Sequence, residues 1–284
     1  MPSARPSRHG FSMRRVLKKC LGSVLPAAVW TTLQAVRSRR FIQRVERRIG
    51  LENLNRRYEQ EHGRVVRRGP FQGMEYTSLT THRHITQRLL GVYECELGQI
   101  VDEIIRHGCP QILDIGCAEG YYAVGFARAI QRATVLAFDT DPWARKACIA
   151  LARHNGVAGR VDVRGFCSRE WLLSHAPRGG LIMSDCEGFE RILFNAGTAV
   201  HFAGVDLLVE IHNGPPRRDD PMVLALDSTH VVTIVMSEKH DPARCPELNG
   251  WDETARKYAV SDMRQPWQGW FYFRSRTRVG GLAA

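Results

Sequence analysis

From about residue 110 onward, short apolar runs alternate with stretches whose apolar residues recur every three or four positions, the periods of strands and helices in turn. Strands are expected at 111–115, 134–138, 161–165, 181–185, 205–211, 230–236 and 269–274, and helices at about 120–130, 142–154 and 187–195. Runs such as Leu181-Ile182-Met183, and the near-continuous run from Val205 to Ile211, imply strands covered on both faces, as in an α/β parallel sheet flanked by helices. A helix from Glu94 to His107 would turn Leu97, Ile100, Val101, Ile104 and Ile105 inward and stop at Gly108 and Pro110. Trp270 to Phe273 alternate as a core strand, and Trp267 is assigned to core packing ahead of stacking on a sugar ring.

The N-terminal part follows a different pattern. Met13, Val16, Leu17, Cys20, Leu21, Val24, Leu25 and Ala28 form one apolar stripe, and Phe41, Ile42, Val45 and Ile49 a second, each opposed by Arg and Lys. Residues 1–68 carry 17 Lys/Arg against 4 Asp/Glu, so the remainder carries 23 against 25; the net charge of +11 belongs to the extension. Arg67-Arg68-Gly69-Pro70 marks a boundary, and Phe71 to Tyr76 is expected to form a short hairpin. The expected organisation is a basic helical extension at 1–68, a lead-in hairpin or linker at 69–93, a catalytic domain at 94–278 and a tail at 279–284.

A basic amphipathic segment over residues 13–49 could lie on an anionic membrane surface, each nearby Lys or Arg adding about 1 kcal/mol. A helical cap packed on the domain, with solvated arginines, is the preferred reading. No apolar run reaches membrane-spanning length; the closest, Cys20 to Val36, is broken by Pro26, Thr31, Thr32 and Gln34. The eight cysteines show no Cys-x-x-Cys pairing, which fits a reduced, cytoplasmic protein, peripheral at the membrane's inner face if the helices touch it. No short-spaced Cys and His cluster marks a zinc site, and none is expected.

The stretch Ile112 to Tyr122 reads as a buried strand that breaks at glycines straight into a helix. Gly116 lets the backbone turn, Ala118 and Gly120 let a ligand approach, and the helix aims its free N–H groups at that ligand. The apolar run Val135 to Phe138 then ends in Asp139, 19 residues beyond Gly120, a distance from which a carboxylate reaches ribose hydroxyls. Asp141 is better read as the cap of a helix that begins at Pro142.

Asp114-x-Gly116-x-Ala118-x-Gly120 with Asp139 resembles the S-adenosylmethionine (SAM) site of class I methyltransferases. Ser184-Asp185-Cys186-Glu187-Gly188-Phe189-Glu190 and Leu207-Leu208-Val209-Glu210-Ile211-His212 resemble the two signatures of FkbM-type methyltransferases, the match covering roughly residues 90–275. The resemblance implies a doubly wound, seven-stranded, mostly parallel sheet whose last strand is antiparallel. It also implies SAM as cofactor, with Asp114 and Glu119 at its amino acid end, Asp139 on its ribose, adenine packing near Gly165-Phe166-Cys167, and methyl transfer to a hydroxyl of a glycan, sugar or related secondary metabolite.

Asp185 and His212 end neighbouring strands and should share one cleft. Transfer to an alcohol needs a positioned base, and His212 is the candidate, with Asp185 or Glu210 holding its tautomer or binding substrate. Glu187 and Glu190 could favour a helix N-terminus instead. Asp185 and Glu210 could alternatively hold Mg²⁺; metal-free catalysis is the default. Two other readings remain: an RNA methyltransferase using the basic segment, disfavoured by the slightly acidic catalytic domain, and a non-catalytic SAM-binding scaffold.

Overall fold

A computed structural model describes residues 50–81, 84–212, 214–264 and 267–279. The amphipathic stripes over 13–49 and the tail beyond 279 lie outside the described residues. The order along the chain is α1 (Leu51–His62), α2 (Thr86–Leu90), α3 (Gly98–His107), β1 (Gln111–Ile115), α4 (Tyr121–Ala129), β2 (Thr134–Phe138), α5 (Pro142–His154), β3 (Val161–Arg164), α6 (Arg169–His175), β4 (Leu181–Ser184), α7 (Glu190–Leu193), β5 (Asp206–Ile211), α8 (Pro221–Leu226), β6 (His230–Met236), α9 (Glu253–Val260), β7 (Gly269–Ser275) and α10 (Arg276–Val279).

The strands form one sheet of seven in the order β3-β2-β1-β4-β5-β7-β6. The first five are parallel, while β7 inserts antiparallel between β5 and β6. This is the α/β, doubly wound, seven-stranded architecture expected of a class I methyltransferase. Successive residues of each strand feed opposite cores. Ile112, Val135, Ala137, Met183, Leu208 and Trp270 face one, with α3, α4 and α5, and Leu113, Phe138, Ile182, Val209 and Phe271 face the other, with α6, α7 and α8. Both faces are covered at the central strands β1, β4 and β5, which is why they are almost continuously apolar, whereas the edge strand β3 alternates as Val161-Asp162-Val163-Arg164.

Because β1 lies between β2 and β4 and the parallel strands share one direction, their carboxyl ends converge on one edge, where ligands of open α/β sheets sit. The turn after β1 is held there by packing. Gly116 has φ 92°, and a Cβ on it would stand 1.8 Å from the Asp185 carbonyl oxygen; on Gly120, φ 93°, it would meet Cys148 Sγ at 2.7 Å. Close approach of chain to chain, which sequence reading had assigned to a ligand, is therefore already a reason for both glycines. Gly116→Ala is expected to lower stability by roughly 3 kcal/mol or more, from strain at positive φ and the backbone clash, as measured by urea denaturation.

Several expectations need correction. Residues 51–68 belong to the body of the protein: Leu51 and Tyr58 are fully buried, the Arg57 guanidinium sits 4.5 Å over the Trp251 ring, and Arg68 pairs with Glu247. Their charge had marked them as an appendage, but long basic side chains can bury their stems against a core. The hairpin expected within 71–76 is instead a bridge between Val65 and Glu75 that encloses the Arg67–Pro70 turn. The helix expected over 187–195 shrinks to α7, since Glu187 (φ 57°) and Gly188 (φ 101°) occupy left-handed backbone. Glu94 (φ 48°) likewise delays the next helix, with a tight turn over Cys95–Leu97 before α3.

The cap reading of Asp141 holds: its carboxylate accepts from the Trp143 amide at 2.8 Å, with Pro142 at the first helical position. Asp220-Pro221 repeats that signal at α8. Trp267 is 42% exposed, whereas Trp270 to Phe273 are buried, so the packing role assigned to Trp267 fails. No helix among the described residues is long and apolar enough to cross a membrane.

Candidate active site

At the edge between β1 and β2, the Asp139 carboxylate accepts the Ala118 amide at 2.9 Å and the Asp141 amide at 2.8 Å, which fixes the turn Cys117–Gly120 against the end of β2. Ala118 itself has φ 48°, so both the glycines and this alanine turn the chain in left-handed backbone. Burial raises the Asp139 pKa, and the two amides oppose that rise. An ionised carboxylate has about four lone-pair sites, so Asp139 keeps acceptor capacity for hydroxyls.

Asp114, one turn below, is buried and its pKa is pushed up to about 8. Burial is the main cause; the charges of Asp185 and Asp139 add to it, and an N–H from Ala123 in the first turn of α4 works against it. Glu119 turns away from the glycine turn: its carboxylate lies 3.2 Å from Arg88 Nε and accepts from the Thr81 hydroxyl, both partners belonging to the segment before β1. Arg88 in turn stacks 4.0 Å over the Tyr93 ring. Phe166, at the turn after β3, is 59% exposed with its ring 5.5 Å from that of Phe189.

The ends of β4 and β5 carry the second half of the site. His212 Nε2 lies 3.2 Å from Asp185 Oδ1, 3.6 Å from Glu210 Oε2 and 3.8 Å from Glu187 Oε2, and Nδ1 lies 3.2 Å from Glu190 Oε1. The structure brings together the residues that the sequence reading had placed in one cleft. Glu190 Oε1 also accepts the Cys186 amide at 2.8 Å, in the turn that precedes α7. Burial alone would depress the His212 pKa, but hydrogen bonding to Asp185 and Glu190 outweighs it and raises the pKa to about 11. The ring is accordingly an imidazolium at neutral pH. Burial also disfavours ionisation of Asp185, yet His212, Glu210 and Arg264 hold it below the usual carboxylate range. Glu210 moves the opposite way, through burial and the adjacent Asp185 charge, so the proton of this carboxylate pair resides on Glu210.

Arg264 was not found from the sequence. It approaches from the segment after α9, placing Nη1 2.7 Å and Nη2 3.2 Å from the Glu210 oxygens, and pairs with Glu94 as well. Glu94 also accepts from the Tyr122 hydroxyl. Nothing in the sequence around Arg264 marks it; only the antiparallel β7 brings its segment beneath β5. With Glu210 committed to Arg264, the Asp185–Glu210 pair proposed for Mg²⁺ is not free to act together. The donors that converge are Asp185, Glu190 and His212, with ligand atoms within 4.8 Å of one another. One imidazole with two carboxylates suits a transition metal better than Mg²⁺, which takes oxygen ligands and keeps its waters.

Taken together, Glu94, Asp114, Asp185, Glu190 and Glu210 lie around two basic groups among the described residues, His212 and Arg264. Carboxyl groups outnumber basic groups at this edge among the described residues, but Asp114 and Glu210 hold protons, so the edge turns strongly negative only where a bound cation lets them ionise.

Many solved structures resemble the chain at low identity, among them two with a cofactor or its product bound. A SAM-dependent methyltransferase from Geobacter sulfurreducens, in complex with S-adenosyl-L-homocysteine, is 18% identical over 63% of this chain and 89% of that one, with a TM-score of 0.40. The O-methyltransferase TomG from Streptomyces achromogenes, in complex with SAM, is 14% identical over 52% of this chain and 73% of that one, with a TM-score of 0.34. No family model and no curated protein matches the chain. Likeness at these scores carries no argument about this chain's chemistry.

Proposed function

We propose that this chain is a SAM-dependent O-methyltransferase acting on a hydroxyl of a glycan, a sugar or a related secondary metabolite. The observation that carries the proposal is the cluster of carboxyl groups around His212 at the carboxyl ends of β1, β4 and β5, next to a positive-φ turn locked to Asp139. When bound, SAM supplies a methyl group on a sulfonium centre, and it brings a ribose diol and an α-ammonium. Asp139 is suited to the diol. Gly116, Ala118 and Gly120 form the wall of the turn, and Glu119 closes it from behind with Arg88. Asp114, neutral in the ligand-free protein, would ionise beside a bound cation.

On the acceptor side, Asp185 orients the substrate hydroxyl, and Glu210, locked by Arg264, fixes the floor. His212 takes the alcohol proton after first losing one of its own, as a group with a pKa near 11 must. The exposed Trp267 ring is a stacking surface of the kind sugar faces use, and FkbM-like resemblance points to the same acceptor class. Contact of residues 13–49 with a membrane surface is part of the proposal only as a tether, to be tested by vesicle sedimentation.

The test pairs calorimetric titration of the full chain with SAM and S-adenosyl-L-homocysteine and a SAM-consumption assay across hydroxylated acceptors. Asp139→Asn is expected to weaken both ligands alike, by about tenfold, because the lost acceptor faces a ribose that both share. Unchanged affinity would remove Asp139 from the site. Binding without turnover on any acceptor would favour the non-catalytic reading, and turnover on RNA would favour the nucleic acid one.

A further inference from the structure

Next to the Glu94–Arg264 pair, three segments remote in sequence bring together a thiol, an imidazole and two carboxylates. Cys95 and Glu96 lie in the turn before α3, His240 follows β6, and Asp262 follows α9. Cys95 Sγ is 3.2 Å from His240 Nδ1, and one ligand atom each from Cys95, Glu96 and His240 falls within 4.8 Å of the others. Across the ring, Nε2 lies 3.4 Å from Asp262 Oδ2, both side chains being more than nine-tenths buried at 4% and 7% exposure. These two atoms face each other outside hydrogen-bond alignment. Both Glu96 oxygens are sealed from solvent and, beyond the residue's own amide, meet no donor among the described residues.

The Glu96 oxygens are thus acceptors where water cannot serve them, an arrangement that is unfavourable unless something positive joins it, while the exposed Cys95 thiol gives an ion a way in from solvent. The donor types identify the cation. Thiolate and imidazole favour Zn²⁺ over Mg²⁺ or Ca²⁺. Zinc bonds of about 2.3 Å to sulfur and about 2.0 Å to nitrogen, in a tetrahedron, separate the two atoms by roughly 3.5 Å, close to the spacing already present. A zinc-bound histidine usually gives its other N–H to a carboxylate, and Asp262 stands where that carboxylate is needed.

We propose that Cys95, Glu96 and His240 bind a zinc ion, with Asp262 orienting the imidazole and water in the fourth position. The ion pins together the residues adjoining Glu94 and Arg264 and so braces the bridge beneath Glu210. Sequence spacing gave no hint of it, because 145 residues separate Cys95 from His240. The proposal is independent of whether the neighbouring cleft binds SAM.

The test uses the full chain stripped with chelator and titrated with Zn²⁺ alone, with Co²⁺ as a spectroscopic probe. One equivalent of zinc should bind, and the cobalt form should show a thiolate charge-transfer band. Cys95→Ser and His240→Ala should abolish the band and weaken zinc binding by more than about tenfold, while Asp262→Asn weakens it about 10- to 100-fold. His212→Ala should keep the equivalent, which separates this site from the Asp185–Glu190–His212 group. In the unaltered protein, Zn²⁺ should protect Cys95 from alkylation, a readout that stands even if a variant fails to fold. The proposal is overturned if no zinc binds, if the stoichiometry survives Cys95→Ser and His240→Ala, if it is lost in His212→Ala, or if Cys95 alkylates equally fast with and without zinc. The last result would mark Cys95 and His240 as a reactive thiol–imidazole pair instead.

Discussion

Arg264→Met is expected to destabilise the protein by about 3–5 kcal/mol, because it leaves Glu94 buried without its guanidinium partner and Glu210 without its two hydrogen bonds from Arg264. The guanidinium is almost fully enclosed, 5.4 Å from the Trp270 ring, so solvent cannot replace it. Adding Glu94→Gln and Glu210→Gln to the same chain should recover most of the loss, since an amide at 94 no longer needs a counter-charge and one at 210 keeps a neutral group there. Chemical denaturation of the single and triple variants checks both statements. A loss below about 1 kcal/mol for the single variant would mean that the bridge is solvent-screened like an ordinary surface pair.

His212→Ala is expected to lower turnover by about 10²- to 10⁴-fold while leaving SAM affinity largely intact, the range associated with a positioned acid–base group. Truncation also removes the cation among Asp185, Glu190 and Glu210, so rate loss alone does not separate base from scaffold. The pH profile does. His212 is protonated up to about pH 11 in the ligand-free protein, and the neutral ring is the one that accepts a proton. The rate should therefore keep rising with pH well above neutrality, and the rise should disappear in a His212→Gln variant that retains a hydrogen-bonding side chain. A profile that is flat from pH 7 upward, or wild-type rates in either variant, would sink the assignment.

The core strands were legible because period and apolar run length report directly on burial. All seven strand ranges lie within one residue of expectation at either end, and β1, β2 and β6 coincide with it. Helices α6, α8 and α9 were missed. Each is short, so few residues establish a period, although Asp220-Pro221 announces α8 in the way Asp141-Pro142 announces α5. Residues 51–68 were misassigned since charge was read as exposure, while the structure buries their apolar residues and stems.

Within the site, Asp185, Glu210 and His212 could be placed together from the sequence because parallel neighbours in an α/β sheet end on the same edge, and each residue stands at a strand end. The glycine turn and Asp139 were identified for the same reason. What the sequence could not determine was charge state and partner choice. Whether His212 is a free base or an imidazolium depends on four carboxylates from two segments, residues 185–190 and the end of β5, and whether Glu210 is available depends on Arg264, 54 residues away. Hydrophobic pattern is local and survives being read one residue at a time; the electrostatics of a buried cluster is a sum over distances that exist only once the chain has folded.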